Sequence, residues 1–303
     1  DDAPAFPIRD TREVPAKVIS QLAMGTVIDG RAIAERLKRS LKEELSRLAM
    51  RPTLAVLSFG TEPSKLYQHA QAERAKELGI ALVDPPGGAC ASTVTFPEVE
   101  RIIQAWNADA SIHGIFVHQP MPPQIDPQRI SALIDPAKDV EGIHPHNSAR
   151  RFFAKARIGS CTALAVMELI ESTGVALESK EAVVVGHSEI VGRPVGMLLL
   201  DTLATTTVCH VATKNLPDHV KRADVLVVAV GKPHLIKGEW IKPGAVVIDV
   251  GINVVGGRVV GDVEFEVARQ RAAFISPVPG CVGPVTVMMV MKNTVEAFKL
   301  QQG

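Results

Sequence analysis

The segment Ala182-Val-Val-Val-Gly-His-Ser-Glu-Ile-Val-Gly-Arg-Pro194 carries the clearest chemical signal in the chain. A run of apolar, mostly β-branched residues leads into Gly186, and Gly192 follows six positions later. This pattern predicts a parallel strand that turns into a helix, with free backbone N–H groups at the helix start that attract a phosphate. Ser188 stands where a dinucleotide-binding fingerprint has its second glycine. A turn without any ligand would have a similar sequence, so the motif alone leaves both interpretations open.

Other residues that could take part in catalysis or binding are spread along the chain. Tyr67 and Gln71 have the spacing that places two side chains on one face of a helix. Lys232 follows a predicted strand, where it would lie near a cofactor or in solvent. Asp249 ends another strand, where it would help to place a cofactor or accept hydrogen bonds from loop amides. We assign Asp262 to a surface turn.

Composition excludes several classes of protein. The chain has 303 residues, of which 46% are hydrophobic, enough for two domains with sizeable cores. Lys+Arg and Asp+Glu are both 33 and aromatic residues make up 4%, which argues against a nucleic-acid partner. No apolar run approaches the length of a membrane span. The cysteines lack C-x-x-C spacing, which favours reduced thiols in a reducing compartment over a metal site or disulfides. They are Cys90, Cys161, Cys209 and Cys281.

Apolar periodicity predicts an α/β fold in which helices cover parallel sheets. The first series has strands at 52–59, 80–83 and 112–117 and helices at 30–50, 64–78, 96–107 and 128–134, followed by a loop at 135–147. The second has a helix at 163–173, strands at 182–185, 206–210, 225–229, 245–249 and 273–275, and a last helix at 284–300. We therefore predict domains at 24–150 and 151–284, and a C-terminal helix at 285–303 that closes back on the first domain.

Residues 1–23 are polar and contain proline, so we expect an extension outside the main fold. The sequence starts at Asp1 without an initiator Met. We therefore expect either a processed mature protein or a trimmed version of the natural chain, and we favour the mitochondrial matrix over the cytoplasm as its location.

Several motifs occur together in a characteristic order. They are Tyr67 in an early helix, Asp135-Pro-Ala-Lys-Asp-Val-Glu-Gly142, Cys161-Thr162, the Gly186 turn, Val228-Ala-Val-Gly-Lys-Pro233, Val247-Ile-Asp-Val-Gly-Ile-Asn253 and Pro277-Val-Pro-Gly-Cys-Val-Gly-Pro-Val-Thr286. With these motifs the chain resembles the methylenetetrahydrofolate dehydrogenase/cyclohydrolase family over roughly residues 25–300. The last two motifs are the most specific.

The resemblance implies two α/β domains that flank a cleft, a folate-binding catalytic domain followed by a Rossmann-like dinucleotide-binding domain, in a homodimer. In this family, hydride passes from the methylene bridge of a reduced folate to NAD or NADP, and the methenyl product is hydrolysed in the same cleft. The implied catalytic positions are Tyr67, Gln71, His118 and Glu141. The implied substrate contacts are Tyr67, Glu141, Pro279 and Gly280. The implied cofactor contacts are Thr162, Gly186, His187, Ser188, Ile190, Val191, Gly231 and Ile252.

The predicted folate-binding domain departs from the family at several of these positions. Gln71 stands in place of a lysine, and because glutamine cannot titrate, we expect methenyl hydrolysis to be weak or lost. Glu73 replaces a second lysine. His118 replaces a glutamine, with Gln119 beside it, and is either catalytic or a hydrogen-bonded loop residue. Glu141 replaces an aspartate and reaches one methylene further, whereas Asp139 is expected to order its loop.

The predicted cofactor domain departs from the family as well. His187 replaces an arginine that holds the extra phosphate of NADP, and Val211 replaces a serine, so we expect a weakened preference for NADP. Cys161 precedes a threonine that lacks the usual following proline. Cys281 replaces a glycine, which would shift the turn if that glycine required positive φ. We expect both cysteines to be packed small residues rather than nucleophiles.

Two functions fit these observations. The first is a methylenetetrahydrofolate dehydrogenase with little or no cyclohydrolase activity, which would bind a reduced folate and NAD or NADP. The second is a non-catalytic family member without a cofactor that acts as a structural subunit of a larger complex, because substitutions occur in both halves of the cleft. Hydride transfer depends more on the orientation of donor and acceptor than on a protein acid or base. The substitutions therefore need not abolish it, which favours the dehydrogenase over the non-catalytic subunit.

Overall fold

The computed structural model of the protein describes residues 24–153 and 157–302, so the predicted extension at 1–23 lies outside the described residues. The helices are α1 (Gly30–Ser46), α2 (Glu62–Leu78), α3 (Phe96–Ala108), α4 (Pro127–Leu133), α5 (Pro145–Phe152), α6 (Cys161–Glu171), α7 (Gly192–Asp201), α8 (Leu216–Arg222), α9 (Phe265–Arg269) and α10 (Val282–Gln302). The strands are β1 (Thr26–Val27), β2 (Thr53–Leu57), β3 (Ala81–Val83), β4 (Gly114–Val117), β5 (Glu181–Val185), β6 (Thr205–Cys209), β7 (Val225–Val228), β8 (Val246–Asp249), β9 (Asn253–Val255), β10 (Arg258–Val260) and β11 (Phe274–Ile275). In this part of the chain, every helix is too short or too polar to cross a membrane.

Parallel sheets form the centre of each half of the described chain, as the alternating pattern predicts. The first sheet has the strand order β3-β2-β4, and the second has the order β1-β11-β8-β7-β5-β6. Every pair within these two sheets is parallel. The strands β2, β4, β5, β7 and β8 are almost wholly buried because helices cover both of their faces.

Strand β1, helix α5 and the two strands β9 and β10 were not predicted from the sequence. Strand β1 pairs with β11, so residues 24–27 extend the second sheet rather than the first domain to which we assigned them. Helix α5 lies where we predicted the end of a loop and the start of the domain change. The antiparallel pair β9–β10 follows β8 as a hairpin. A strand of two residues is too short to show periodicity, and the two hairpin strands are mostly exposed and show no apolar–polar alternation.

Helix α10 packs against α1 and α2 of the first half of the chain and against α6 of the second. Its apolar residues are buried almost all round, because it is covered from both sides. Asn293 is a buried polar residue within this helix. Its amide Nδ2 donates to the carbonyl of Val140 at 2.8 Å and to that of Gly159 at 2.9 Å. The helix therefore holds together the two segments that flank the passage between the domains.

Asp262 is a buried structural residue, so our assignment of it to a surface turn was wrong. Its Oδ2 accepts hydrogen bonds from the backbone N–H groups of Val230 at 2.7 Å and Gly231 at 3.0 Å. Its Oδ1 accepts from Lys232 N at 2.8 Å and from Asn253 Nδ2 at 2.8 Å. The residue organises the loop after β7, because a buried loop needs acceptors for its amides. The sequence did not reveal this role because the donors are distant along the chain.

Asp249 satisfies loop amides, which was one of its two predicted roles. Its Oδ1 accepts from Gly251 N at 2.9 Å and Asp262 N at 3.1 Å, and its Oδ2 accepts from Val263 N at 2.9 Å. Burial, assisted by the charge of Asp262, raises the pKa of Asp249 to about 6 although the amide hydrogen bonds oppose the rise. The carboxyl ends of β7 and β8 are thus joined by two acidic side chains.

His113 is buried between the first sheet and α10, where its ring lies 4.8 Å from that of Phe298, centroid to centroid. Its Nδ1 accepts a hydrogen bond from the backbone N–H of Thr53 at 3.1 Å. Burial, assisted by the positive charge of Lys138, lowers the pKa of His113. The folded protein therefore holds this histidine in its neutral form.

We predict that Asp262→Asn lowers the free energy of unfolding by about 1–3 kcal/mol. An asparagine amide offers one acceptor oxygen where the carboxyl group uses two, so buried N–H groups lose their partner. Urea denaturation of the variant checks this prediction. The exposed Asp218→Asn serves as the control and should change stability by less than about 0.5 kcal/mol. Equal stability of the two variants would contradict the role of Asp262.

We predict that acid destabilises the protein partly through His113. Because its pKa is lower in the folded chain, the unfolded chain binds more protons as the pH falls below about 6.5, and this loss is absent at higher pH. His113→Asn keeps an acceptor for Thr53 N but cannot titrate. Between pH 7.5 and 5.5 the stability of this variant should therefore fall less than that of the unchanged protein, as measured by urea denaturation. The same pH dependence in both proteins would exclude this contribution, and His69→Asn, at an exposed position, is the control.

Candidate active site

A cavity of about 220 Å³ lies between the two domains. Its walls come from α2, the end of β4, the segments before and after α5, the start of α6, the Gly186 turn and α10. The lining residues are Tyr67, Phe116, His118, Gln119, Glu141, Ser160, Cys161, Thr162, Ile190 and Thr286. The structure therefore brings together residues predicted for folate, namely Tyr67, His118 and Glu141, and residues predicted for the cofactor, namely Thr162 and Ile190.

Three rings form one wall of the cavity. The Tyr67 ring stacks on Phe116 with centroids 6.1 Å apart, and its edge contacts His118 at 5.7 Å. Burial raises the pKa of Tyr67 well above its ordinary value, and negative charge on Cys161 and Glu141 would raise it further. The phenol therefore stays protonated at neutral pH, so Tyr67 can provide an apolar face and a hydroxyl donor. Phe116 was not predicted because it is one more apolar residue in a buried strand.

His118 and Gln71 form a buried pair. Nε2 of His118 lies 3.1 Å from Oε1 of Gln71, and the two side chains are 2% and 1% exposed. His118 therefore faces α2 at the strand end, while the neighbouring Gln119 is exposed. Burial lowers the pKa of His118 to about 4, so the imidazole is neutral at pH 7.

Gln71 lies behind His118 rather than in the cavity lining, although we predicted it as a catalytic residue. Its Nε2 has no hydrogen-bond partner among the described residues. The amide contacts the ring nitrogen of His118 and so orients the histidine. Any influence of Gln71 on a ligand in the cavity would be exerted through His118.

Glu141 is half-buried in the cavity wall. Burial and the neighbouring charge of Asp139 raise the pKa of Glu141 to about 8. Asp139 itself orders the loop, as predicted, because its Oδ1 accepts from Gly142 N at 3.0 Å and its Oδ2 accepts from His144 N and Asn147 Nδ2, each at 2.9 Å. Glu141 is therefore protonated at neutral pH until a ligand donates to its oxygens.

The predicted packing roles of Cys161 and Cys281 are confirmed. Both are buried, and their Sγ atoms donate to the carbonyls of Val140 at 3.1 Å and Ile28 at 3.5 Å. Burial raises the pKa of the Cys281 thiol to about 12 and that of Cys161 well above its usual range. Neither thiol is a nucleophile. Cys281 has a negative φ, so the turn accommodates it without strain, and Gly280 adopts φ +102° instead.

The Gly186 turn requires its glycines for close packing. Gly186 has φ +125°, and a Cβ atom there would lie 2.3 Å from the carbonyl oxygen of Ala229. A Cβ atom at Gly192 would lie 2.0 Å from the carbonyl oxygen of Gly186. Helix α7 thus begins directly against the end of β5, as the sequence predicts.

Ser188 caps the start of α7. Its Oγ accepts from Val191 N at 3.2 Å and Gly192 N at 3.4 Å, and its carbonyl accepts from Arg193 N at 3.0 Å. These N–H groups are therefore not free, contrary to our expectation for the helix start, because the serine hydroxyl and carbonyl of the preceding turn accept from them. A phosphate would bind to the exposed turn before them or displace the Ser188 hydroxyl.

The other predicted ligand residues lie outside the lining of this cavity. His187 and Ser188 are exposed on the turn, whereas the side chain of Val191 packs against the core. Gly231 is exposed with φ +63°, and a Cβ atom there would meet nothing within 4 Å. Ile252 is 71% exposed. An exposed turn beside an open loop fits a dinucleotide that extends from the cavity along the ends of β5 and β7.

Pro279 and Gly280 also lie outside the lining, which α10 reaches through Thr286 instead. Ser160 was missed by the sequence analysis, although a serine just before a predicted helix is a signal for a capping position. Its Oγ donates to the carbonyl of Ile190 at 2.5 Å and thereby joins the start of α6 to the Gly186 turn. Asn293 was also missed; its signal is a polar residue within the apolar pattern of the last helix.

Two family models match the chain. The catalytic domain of tetrahydrofolate dehydrogenase/cyclohydrolase matches residues 28–141, and the NAD(P)-binding domain of the same family matches residues 160–302. Residues 142–159, which include α5 and most of the segment that follows it, lie between the two matches.

Proteins with similar sequences include "Bifunctional protein FolD 2" of Geobacter sulfurreducens, which is 45% identical over 91% of this chain and 98% of its own length. "Bifunctional protein FolD" of Halothermothrix orenii is 46% identical over 91% of this chain and 99% of its own length. The FolD structure from Campylobacter jejuni, a methylenetetrahydrofolate dehydrogenase/cyclohydrolase, is 37% identical, with a TM-score of 0.86 over 91% of this chain and 99% of the other.

The FolD structure from Trypanosoma brucei, in complex with NADP and an inhibitor, is 39% identical, with a TM-score of 0.87 over 92% of this chain and 98% of the other. These matches span both domains and the passage between them. Together with the cavity that joins the two domains, they show that the chain belongs to the tetrahydrofolate dehydrogenase/cyclohydrolase family, with a Rossmann-like NAD(P)-binding domain.

Proposed function

We propose that this protein transfers hydride from the methylene bridge of a reduced folate to NAD or NADP and hydrolyses the methenyl product weakly or not at all. One observation carries the proposal: Tyr67 and Glu141, on the predicted folate side, line the same cavity as Thr162 and Ile190, on the predicted cofactor side. A hydride donor and acceptor held by these residues would meet in one water-restricted space. When bound, the nicotinamide ring supplies the hydride acceptor.

The folate would lie against neutral side chains. Tyr67 and Phe116 offer ring faces to the pterin, and Glu141 offers oxygens to its N–H edge. Loss of hydride leaves positive charge on the methenyl product. His118 is neutral and Gln71 carries no charge, so neither repels that charge. Pro279 and Gly280 remain predicted contacts for the part of the folate outside the cavity.

The buried pair of His118 and Gln71 also accounts for the weak hydrolysis that we propose. Attack of water on the methenyl group benefits from a side chain that exchanges a proton near neutral pH. Gln71 cannot titrate, and His118, with a pKa of about 4, is a weak base. The presence of Gln71 and His118 in place of the family's residues therefore removes acid–base assistance, but it leaves the wall of rings that would position the folate.

The cofactor would be held by Thr162 and Ile190 in the cavity and by the exposed turn outside it. The remaining predicted contacts are Gly186, His187, Ser188, Val191, Gly231 and Ile252. Val211 is 92% exposed after β6 and offers no polar atom from its side chain to a phosphate. These residues support binding of either dinucleotide with a weakened preference for NADP.

Steady-state assays with methylenetetrahydrofolate and each nicotinamide cofactor test the proposal. We expect reduction of NAD or NADP and a methenyl hydrolysis rate at least about 10-fold below that of a family member that carries lysine at the position of Gln71. Hydrolysis at the relative's rate would exclude the weakened cyclohydrolase. Absence of both turnover and cofactor binding would instead support a non-catalytic subunit.

The same assays on the Gln71→Lys variant test whether the missing acid–base group is the cause of slow hydrolysis. A lysine at this buried position regains a titratable amine next to His118, so methenyl hydrolysis should rise by about 10-fold or more. Gln71→Met is the matched control, because it has similar length and no proton to exchange. An equal effect of both substitutions would show that packing, rather than proton transfer, controls hydrolysis.

We also propose a homodimer that forms through the open edge of the second sheet. Strand β6 is the last strand in the described sheet order, and beside it Leu200, Leu203 and Val208 are 50%, 70% and 40% exposed. An apolar face next to unpaired strand amides favours association with a second copy. Pairing of this edge with the same edge of a second copy would give a two-fold arrangement.

Light scattering coupled to gel filtration tests this interface. Leu200→Lys should shift the protein from dimer to monomer, because a charged side chain on the face would have to be desolvated. Val267→Lys, which changes a valine that is 44% exposed on α9, should leave the dimer intact. A monomeric unchanged protein, or a dimer that survives Leu200→Lys, would exclude the proposed interface.

A further inference from the structure

We infer that Ser160 is a positioning residue that sets the distance between the folate side and the cofactor side of the active-site cavity. The inference rests on the proposed function, in which Glu141 contacts the folate and Ile190 contacts the dinucleotide. Ser160 is 4% exposed, directly precedes α6 and lines the cavity together with both of these residues. Its backbone is bonded to one side of the cavity and its hydroxyl to the other.

The backbone on either side of Ser160 is bonded to the segment that carries Glu141. The carbonyl of Gly159 accepts from Asn293 Nδ2 at 2.9 Å, and the same amide donates to the carbonyl that precedes Glu141 at 2.8 Å. The N–H of Cys161 donates to the carbonyl of Glu141 at 3.3 Å. The position of Ser160 therefore follows that of Glu141, because both of its neighbours are held by the same stretch of chain.

The hydroxyl of Ser160 contacts the cofactor side. Its Oγ donates to the carbonyl of Ile190 at 2.5 Å. Ile190 lies two residues before α7, and the residue four places after it is Pro194, which has no N–H. Because α7 supplies no backbone donor at that spacing, the serine hydroxyl provides one instead. Glu141 and Ile190 are thus joined through two hydrogen bonds and the peptide unit between Ser160 and Cys161.

The hydrogen bond of Ser160 matters because packing around this residue is incomplete. Ser160 also lines a second cavity, of about 440 Å³, between α4, α5 and α7. A residue that borders two cavities has fewer packed neighbours than a core residue, so its hydrogen bonds do more to fix it. Gln128 also contacts the turn, since its Nε2 donates to Oε2 of Glu189 at 3.2 Å, but both side chains are exposed and water competes for them.

Hydride transfer is sensitive to the distance that Ser160 sets. The C–H bond of the methylene bridge breaks, and its hydrogen moves with both electrons to the nicotinamide ring. The folate is oxidised, the dinucleotide is reduced, and no proton is exchanged with the protein. The rate of such a step depends on how closely the two carbon atoms are held. Loss of the Ser160 hydroxyl would free the turn at Ile190, so transfer should slow while substrate binding changes little.

Hydrogen exchange of the protein without ligands gives the first test. In Ser160→Ala the amides of residues 187–193 should exchange about five-fold faster than in the unchanged protein, because the turn loses one buried hydrogen bond. Ser172→Ala is the matched control. Ser172 follows the other end of α6, where its Oγ donates to the carbonyl of Leu169 at 2.7 Å, so this variant loses a similar bond away from the cavity. Its turn should exchange at the unchanged rate.

Single-turnover kinetics with methylenetetrahydrofolate and NAD or NADP give the second test. The rate constant of hydride transfer should fall by about 10-fold in Ser160→Ala, with the half-saturating folate concentration changed by less than about two-fold. A variant that only folded less completely would lose amplitude and keep its rate constant. Ser160→Thr, which keeps the hydroxyl, should recover most of the rate, and Ser172→Ala should transfer hydride at the unchanged rate.

An unchanged rate constant in Ser160→Ala, or equal hydrogen exchange at the turn in Ser160→Ala and the unchanged protein, would overturn the positioning role and leave the proposed function intact. Absence of hydride transfer in the unchanged protein would overturn both.

Discussion

The amide of Asn293 connects the two segments by which the chain passes between its domains. It donates to the carbonyls of Val140 and Gly159, one residue before Glu141 and one before Ser160. Because α10 is packed from both sides, this buried side chain has a fixed position, and buried carbonyls without it would lose their partner. Glu141 and Ser160 directly follow these carbonyls and line the cavity, so their placement depends on this contact.

Burial then determines the electrostatic character of the cavity. It raises the pKa of Tyr67 and Glu141 and lowers that of His118, so that each of these groups favours its neutral form at pH 7. With glutamine behind His118, this wall offers hydrogen bonds and ring faces but no resident positive charge. Such a surface suits the positioning of a folate for hydride transfer better than proton exchange with water.

Much of the architecture could be predicted because buried parallel strands and amphipathic helices leave periodic patterns. The end of α2 at Gly79, which adopts φ +72°, and the turn at Gly186 also follow from local chemistry. The prediction failed where partners are remote along the chain. Asp262 looked like a turn residue, yet it accepts hydrogen bonds from residues 230–232. Strand β1 was missed because its partner β11 lies at the other end of the sequence.

The sequence by itself determined the family, the two α/β domains and the identity of the altered side chains, because these depend on residue types and their order. Whether Gln71 reaches the cavity, which way His118 faces and how the Ser188 hydroxyl caps α7 were decided only by the tertiary structure. Each of these depends on distances between side chains on different elements, and residue order alone does not specify the packing that sets such distances.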